Sequence, residues 1–163
     1  MVFDRLTQTL ERDFFVYLLD LEARKAVRYL YFFCLLIIQA DHEIAMRDEG
    51  EGATVVKTLA QLIRDEVRGT DVLGRIDHDK FFLILHQSDL QSSYGIGERI
   101  RIRVENYSFM VNGREEKCTI SVGGACFPTN ANDVESLIEK SDRMVTKARS
   151  AGGNRIILPE MMV

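Results

Sequence analysis

Arg68-Gly-Thr-Asp71-Val-Leu-Gly-Arg-Ile-Asp77-His78-Asp79-Lys80-Phe81 is the stretch on which the fold turns. Val72 to Ile76 and Phe81 to Leu85 are apolar-rich arms around the polar triplet Asp77-His78-Asp79, a pattern that predicts a β-hairpin. Upstream, Val55, Leu59, Leu62, Ile63 and Val67 recur at helical spacing; downstream, Leu90, Tyr94, Ile100 and Val104 do the same. Further out, Leu10, Phe14, Leu18 and Leu21 mark another amphipathic helix. It gives way near Tyr31 to the apolar run Phe32 to Ile38, the signature of a strand buried on both faces. Asp41 to Gly52 reads as a polar loop. Tyr107 to Val111 and Lys117 to Phe127 read as strands joined through Asn112-Gly113, a strong reversal signal. Asn132 with Glu135 resembles a capping box opening a helix that carries Val134, Leu137, Ile138, Val145 and Ala148 on one face. Gly152-Gly153 ends that helix, and Asn154 to Leu158 reads as an edge strand. Helices alternating with strands around a hairpin give the class α/β, with a central mixed sheet of about five strands flanked by helices.

At 163 residues, the span 1–163 reads as one domain large enough to bury a core. A formal charge of −4 with scattered basic residues argues against nucleic acid as a partner. The longest uncharged run, Tyr29 to Ile38, is too short to span a bilayer, so no membrane segment is expected within this chain. Three cysteines, Cys34, Cys118 and Cys126, lack Cys-x-x-Cys spacing; they read as small core residues in a reducing cytoplasm, with Cys118 and Cys126 on one strand face.

The hairpin resembles the GGDEF family, the diguanylate cyclases. In that family an Arg-x-x-Asp element lies five residues before a Gly-Gly-Asp/Glu-Glu-Phe turn; here Arg68 and Asp71 fill the first, and Asp77, His78, Asp79, Lys80 and Phe81 stand in place of the second. Asp4-Arg5-Leu6-Thr7 resembles the family's opening Asp-x-Leu-Thr, with Arg12 and Phe15 at the spacing of its Asn-Arg-x-x-Phe. Leu36 to His42 resembles the first strand and its acidic end. The spacing from Phe81 to Glu98-Arg99-Ile100-Arg101 matches without a gap, and Thr119 to Gly123 and Ala148 to Ile156 resemble the closing elements. The resemblance covers nearly the whole chain and implies a single GGDEF, nucleotide-cyclase-like domain, of a kind that usually follows a sensory segment in a longer protein.

The same resemblance implies a degenerate catalytic centre. Joining two GTP molecules requires divalent cations held by carboxylates to neutralise the phosphates. One metal position falls on Gln39, whose amide brings no charge; Asp79 is kept, but Lys80 reverses the charge beside it. Asp77 and His78 replace glycines that let backbone approach phosphate, and the Asp77 carboxylate adds repulsion. The guanine contacts fall on Arg47 and Ala53, and a phosphate-binding lysine falls on Ile44; only Arg149 preserves a cation. These substitutions predict an inactive homologue of the cyclases, with no required cofactor and no Mg²⁺ binding.

Arg68, Asp71 and Arg99 carry the opposite implication. In the family these positions form an inhibitory site for the product, cyclic di-GMP, and their chemistry suits it: guanidinium forks pair with guanine O6 and N7 or with phosphate, and a carboxylate accepts from the guanine amine edge. The plainer alternative is an exposed charge pair at a helix end. Three functions therefore stand: a cyclic di-GMP receptor in bacterial second-messenger signalling, with a ligand-bridged homodimer as its assembled form; a ligand-free pseudo-enzyme serving as a protein interaction module; and, last, a residual cyclase. Asp77-His78-Asp79 reads as a solvated turn, with a transition-metal site shared with Asp41 and His42 as the sharper alternative.

Overall fold

The computed structural model describes residues 2–42 and 50–160. The elements follow in the order β1 (Leu10–Glu11), α1 (Arg12–Tyr29), β2 (Phe33–Ala40), α2 (Gly50–Arg64), β3 (Val72–Asp77), β4 (Lys80–His86), α3 (Leu90–Asn106), β5 (Phe109–Val111), β6 (Arg114–Glu116), β7 (Ile120–Phe127), α4 (Val134–Ser150) and β8 (Arg155–Ile157). Six strands form one mixed sheet in the order β1-β3-β4-β2-β7-β8. Its interior pairings are antiparallel and its two edge pairings, β1 with β3 and β7 with β8, are parallel.

β2 lies at the centre and is buried along its whole length, as a continuous apolar run requires. Its alternation divides the core. Phe33, Leu35 and Ile37 pack on the face with Phe15, Leu19, Leu137 and Val145, while Cys34, Leu36 and Ile38 face Val55, Ile63, Ile100 and Val104. Helices α1 and α4 thus cover one side, and α2 and α3 the other. Gly123 lets α4 lie directly on β7, because a Cβ there would collide with the backbone of Met144 and Val145.

Several sequence expectations need correction. The estimate of about five strands missed β1, since Leu10 fits the helical period but lies in a two-residue strand against Gly74. α1 buries Phe15, Leu19, Ala23 and Ala26, one position along from the expected face, and Leu21 is exposed. Phe32 is exposed ahead of β2, and Tyr94 lies outside the α3 face formed by Ser93, Gly97, Ile100 and Val104. Asn112-Gly113 does reverse the chain, both at positive φ, but it closes a separate ribbon of β5 and β6; the long strand begins only at Ile120. The cap of α4 is Asp133, accepting from Ser136 N at 2.7 Å, rather than Asn132. Cys34 and Cys126 are register partners on β2 and β7 and are joined as a disulfide, leaving Cys118 free, buried and ahead of β7. They are 92 residues apart, so only strand pairing brings them together.

Candidate functional site

Two regions of the hairpin carry the chemistry. The first is a cleft of about 540 Å³ where the end of β2, the hairpin turn and the end of α4 converge. A register shift between Arg75 and Asp77 leaves Ile76 as the extra residue before the turn, and Ala40 N donates to Asp79 O at 3.1 Å to hold the turn against β2. Beneath it the buried Arg75 guanidinium donates to His78 O at 3.0 Å and reaches Asp4 at 3.4 Å. Partial burial works to raise the Asp4 pKa, but hydrogen bonds from the Thr7 hydroxyl and backbone N–H, with the Arg75 charge, outweigh it and hold this carboxyl below its usual range.

The carboxylates of the cleft are engaged within the protein. Gln39, nearly buried, donates its Nε2 to Asp79 Oδ2 at 2.8 Å, so the two positions that the family resemblance assigns to metal bond to each other. Lys80 Nζ stands 3.2 Å from Asp142 Oδ1 on α4. Asp41 turns to β7 instead of the hairpin: Oδ1 accepts from Ser121 Oγ at 2.6 Å, and Oδ2 from Thr119 Oγ1 at 2.6 Å and Asn154 N at 2.9 Å. Gly153, at φ 73°, makes room for that carboxylate, which a Cβ would meet at 2.9 Å. Asp77 and His78 are exposed, with His78 N donating to Asp77 Oδ1 at 2.9 Å. This arrangement corrects the sharper metal reading of Asp41, His42, Asp77, His78 and Asp79. The donors do not converge, and among the described residues no three His, Cys, Asp or Glu side chains are grouped to hold an ion. Nor does the cleft fit divalent cations, because an amide donor occupies the retained carboxylate and an ammonium stands beside it. Ala53 is half-buried in α2; Ile44 and Arg47 lie outside the described residues.

The second region is the turn between α2 and β3. Asp71 has no side-chain exposure and bonds in three directions: Oδ2 accepts from Arg68 N at 2.9 Å, while Oδ1 accepts from His86 N at 3.1 Å and faces Arg68 Nη2 at 3.5 Å. The Arg68 side chain is 56% exposed and donates Nη2 to His86 O at 2.6 Å. Asp71 therefore fixes the backbone and Arg68 projects from it. Arg99, on α3, is 59% exposed and pairs with Glu66 at 3.4 Å, just beyond α2 and two residues before Arg68. Arg103 shares Glu66 and reaches Asp65 at 3.1 Å. A smaller hollow of about 300 Å³ runs between Arg68, Arg64 and the loop at Gln8 and Thr9.

His86 Nδ1 lies 2.7 Å from Glu22 Oε1 on α1, which also accepts from Tyr31 Oη at 3.1 Å. Burial, then the hydrogen bond to Glu22 and its charge, push the Tyr31 pKa up to about 12. Glu22 is the charged residue on a half-buried helix position that could have signalled this contact, but its partner lies 64 residues away.

A mixed six-stranded sheet with this hairpin at its centre, a turn offered beside the first long strand and an arginine turn behind it, defines a nucleotide-cyclase-like domain. The family described as "Diguanylate cyclase, GGDEF domain" matches residues 1–155, and the chain belongs to it. It is 30% identical over 159 residues to Diguanylate cyclase DosC of Escherichia coli, covering 95% of this chain and 34% of DosC. To Probable diguanylate cyclase DgcT of the same species it is 26% identical, covering 98% of this chain and 36% of DgcT. The chain thus spans about a third of the length of these relatives. Its fold matches the GGDEF domain of DgcB from Caulobacter crescentus, solved in complex with cyclic di-GMP, at TM-score 0.90 and 21% identity over 98% of this chain and 94% of that one. It also matches SiaD of Pseudomonas aeruginosa, solved with its activator SiaC, at TM-score 0.89 and 22% identity over 97% and 62% of the respective chains.

Proposed function

We propose that this GGDEF domain makes no cyclic di-GMP and serves as a receptor for it. Arg68 and Arg99 supply the cationic contacts, and Asp71 holds the turn that presents Arg68. The observation that carries this reading is the contrast between the two ends of the hairpin: the carboxylates at the cleft are bonded to Gln39, Lys80, Thr119 and Ser121, whereas the Arg68 guanidinium, bonded within the described residues through Nη2 alone, stands exposed on a turn locked by Asp71. An exposed guanidinium with a fixed base can bond bidentately to a guanine edge or a phosphate at little ordering cost. Arg99 exchanges its weak surface pair with Glu66 for the ligand, and a stacked pair of cyclic dinucleotides then bridges two copies of the domain. The complex of DgcB with cyclic di-GMP gives the ligand class a precedent on the same fold.

A nucleotide messenger of this kind places the domain in the cytoplasm, whose reducing poise would open the Cys34–Cys126 disulfide to two thiols. Once reduced, Cys34 Sγ has an acceptor at hand in Ser88 O at 3.1 Å. The second reading, a ligand-free interaction module, is favoured by one observation, the apolar end of α1, where Val27, Tyr29 and Leu30 are 64%, 66% and 91% exposed. SiaD, solved with its protein activator, shows that the fold can dock a partner. Calorimetric titration with cyclic di-GMP separates the two. The receptor reading expects binding at protein and ligand concentrations in the tens of micromolar, a typical regulatory range, lost in Arg68→Ala, with more dimer in sedimentation when ligand is present. No heat of binding at those concentrations leaves the interaction module as the function.

A further inference from the structure

The turn that presents Arg68 is fastened to a histidine, the side-chain type whose charge changes between about pH 5 and 8. We propose that His86 is a positioning residue for the Arg68 guanidinium, and that through its contact with Glu22 it takes up a proton when cyclic di-GMP binds, so that acidification tightens the ligand. The inference rests on the receptor reading of Arg68 and names a regulator, the proton, for that same site.

His86 closes β4, and its backbone holds both members of the arginine turn. Its N donates to Asp71 Oδ1 at 3.1 Å, and its O accepts from Arg68 Nη2 at 2.6 Å. Asp71 also accepts from Arg68 N at 2.9 Å, so the strand end, the carboxylate and the arginine form one closed set of bonds. The ring is fastened separately. Its Nδ1 lies 2.7 Å from Glu22 Oε1 on α1, and the Tyr31 ring packs edge-on against it with centroids 5.2 Å apart. A shift of the ring therefore moves the carbonyl that Arg68 is bonded to, and α1 reaches the ligand site through this one side chain.

The charges around the ring set the sign. Glu22, from α1, faces Nδ1 with a side chain only 17% exposed and favours the imidazolium. Arg68, from the turn, opposes it, because its guanidinium is bonded to the carbonyl of the same residue. Asp71 spends its oxygens on the Arg68 and His86 backbone N–H groups and on Arg68 Nη2, and Asp89 caps α3 through Ser92 N at 2.8 Å. Tyr31, just ahead of β2, shares Glu22 Oε1, and its pKa of about 12 keeps it neutral where histidine titrates. Phe33, the register partner of His86 on β2, brings no charge. A phosphate laid on Arg68 cancels the opposing charge and leaves Glu22 in place, so ligand binding favours the imidazolium and draws in a proton. Linkage makes the effect reciprocal: a proton on His86 turns the Glu22 contact into a charge-assisted bond and strengthens ligand binding by the same factor. His42 and His78 flank the opposite end of the β2–β4 pair, away from this turn.

The test is calorimetric titration of the whole chain with cyclic di-GMP at about pH 6 and about pH 8, which bracket the charge change of histidine. Each titration is repeated in two buffers of different ionisation enthalpy, which counts the protons exchanged on binding. The native chain is expected to bind roughly fivefold more tightly at the lower pH, the low end of coupling between linked sites, and to take up a fraction of a proton. His86→Gln, whose amide can still bond to Glu22 but carries no charge, should bind at the higher pH as the native chain does and lose both the pH dependence and the proton uptake. Glu22→Gln should reduce both, and it carries the same test if thermal melts show His86→Gln to be unfolded. A merely structural His86 predicts variants weakened equally at both pH values, and that result overturns the proposal. Native affinity that does not change with pH, or a folded His86→Gln with the native profile, overturns it too and leaves the receptor reading standing. Absence of binding at either pH overturns both.

Discussion

The two ends of the central hairpin have diverged in opposite directions. At the tip, every retained carboxylate has a partner inside the protein: Gln39 bonds to Asp79, and the Lys80 ammonium occupies ground where a metal would need negative charge. At the base, Asp71 is equally occupied, yet its short bonds run to backbone N–H groups, and the neighbouring guanidinium, held through Nη2 alone, stays exposed. A satisfied carboxylate closes one region and presents the other. What matters is what the hydrogen bonds consume: at the tip they use the functional group, and at the base they use the residue that positions it.

The largest effect should come from Asp71→Ala. Removing this buried carboxylate leaves Arg68 N and His86 N without their acceptor, which costs about 1–3 kcal/mol of stability and displaces Arg68. Thermal melts and ligand titration of the same sample should therefore fall together. Arg68→Ala sharpens the comparison by separating the two: affinity for cyclic di-GMP drops by about 1–3 kcal/mol, roughly five- to a hundred-and-fifty-fold, while stability falls by about 1 kcal/mol or less, the order of the exposed bond to His86 O that is lost. A melt as damaged as that of Asp71→Ala would show that the base is only a structural clamp. Arg99→Ala should weaken binding less than Arg68→Ala and reduce ligand-induced dimer in sedimentation, since its present partner is an exposed pair with Glu66.

A smaller effect is expected under the hairpin as pH falls. The folded pKa of Asp4 is depressed, so its contribution to stability is complete above the ordinary carboxyl value and is lost as pH drops through the lower folded value. Asp4→Asn should flatten the acid limb of the melting-temperature profile below the ordinary carboxyl range and leave neutral-pH affinity at Arg68 unchanged.

The hairpin was legible because its arms are apolar and its turn is Asp77-His78-Asp79, and the central strand because Phe33 to Ile38 is continuously apolar. What the sequence hid were contacts made by topology. β1 is two residues long and its Leu10 fits the period of the following helix, while the Cys34–Cys126 pair and the Glu22–His86 contact join residues 92 and 64 positions apart. At the candidate site, the charge changes at Gln39 and Lys80 could be read from residue type alone. That Gln39 would turn its amide onto Asp79, that Asp41 would belong to β7, and that Asp71 would be buried all depend on strand pairing that no local pattern encodes.

The difference between tip and base is tested most directly by incubating the purified chain with GTP and either Mg²⁺ or Mn²⁺ and resolving the nucleotides by chromatography. No cyclic di-GMP should form above the protein-free control, and Gln39→Asp should not restore it, because Lys80 and the hairpin tip remain changed and such groups act as a unit. Product accumulating above that control in the unmodified chain would contradict the closed tip, and with it the division of roles within the hairpin.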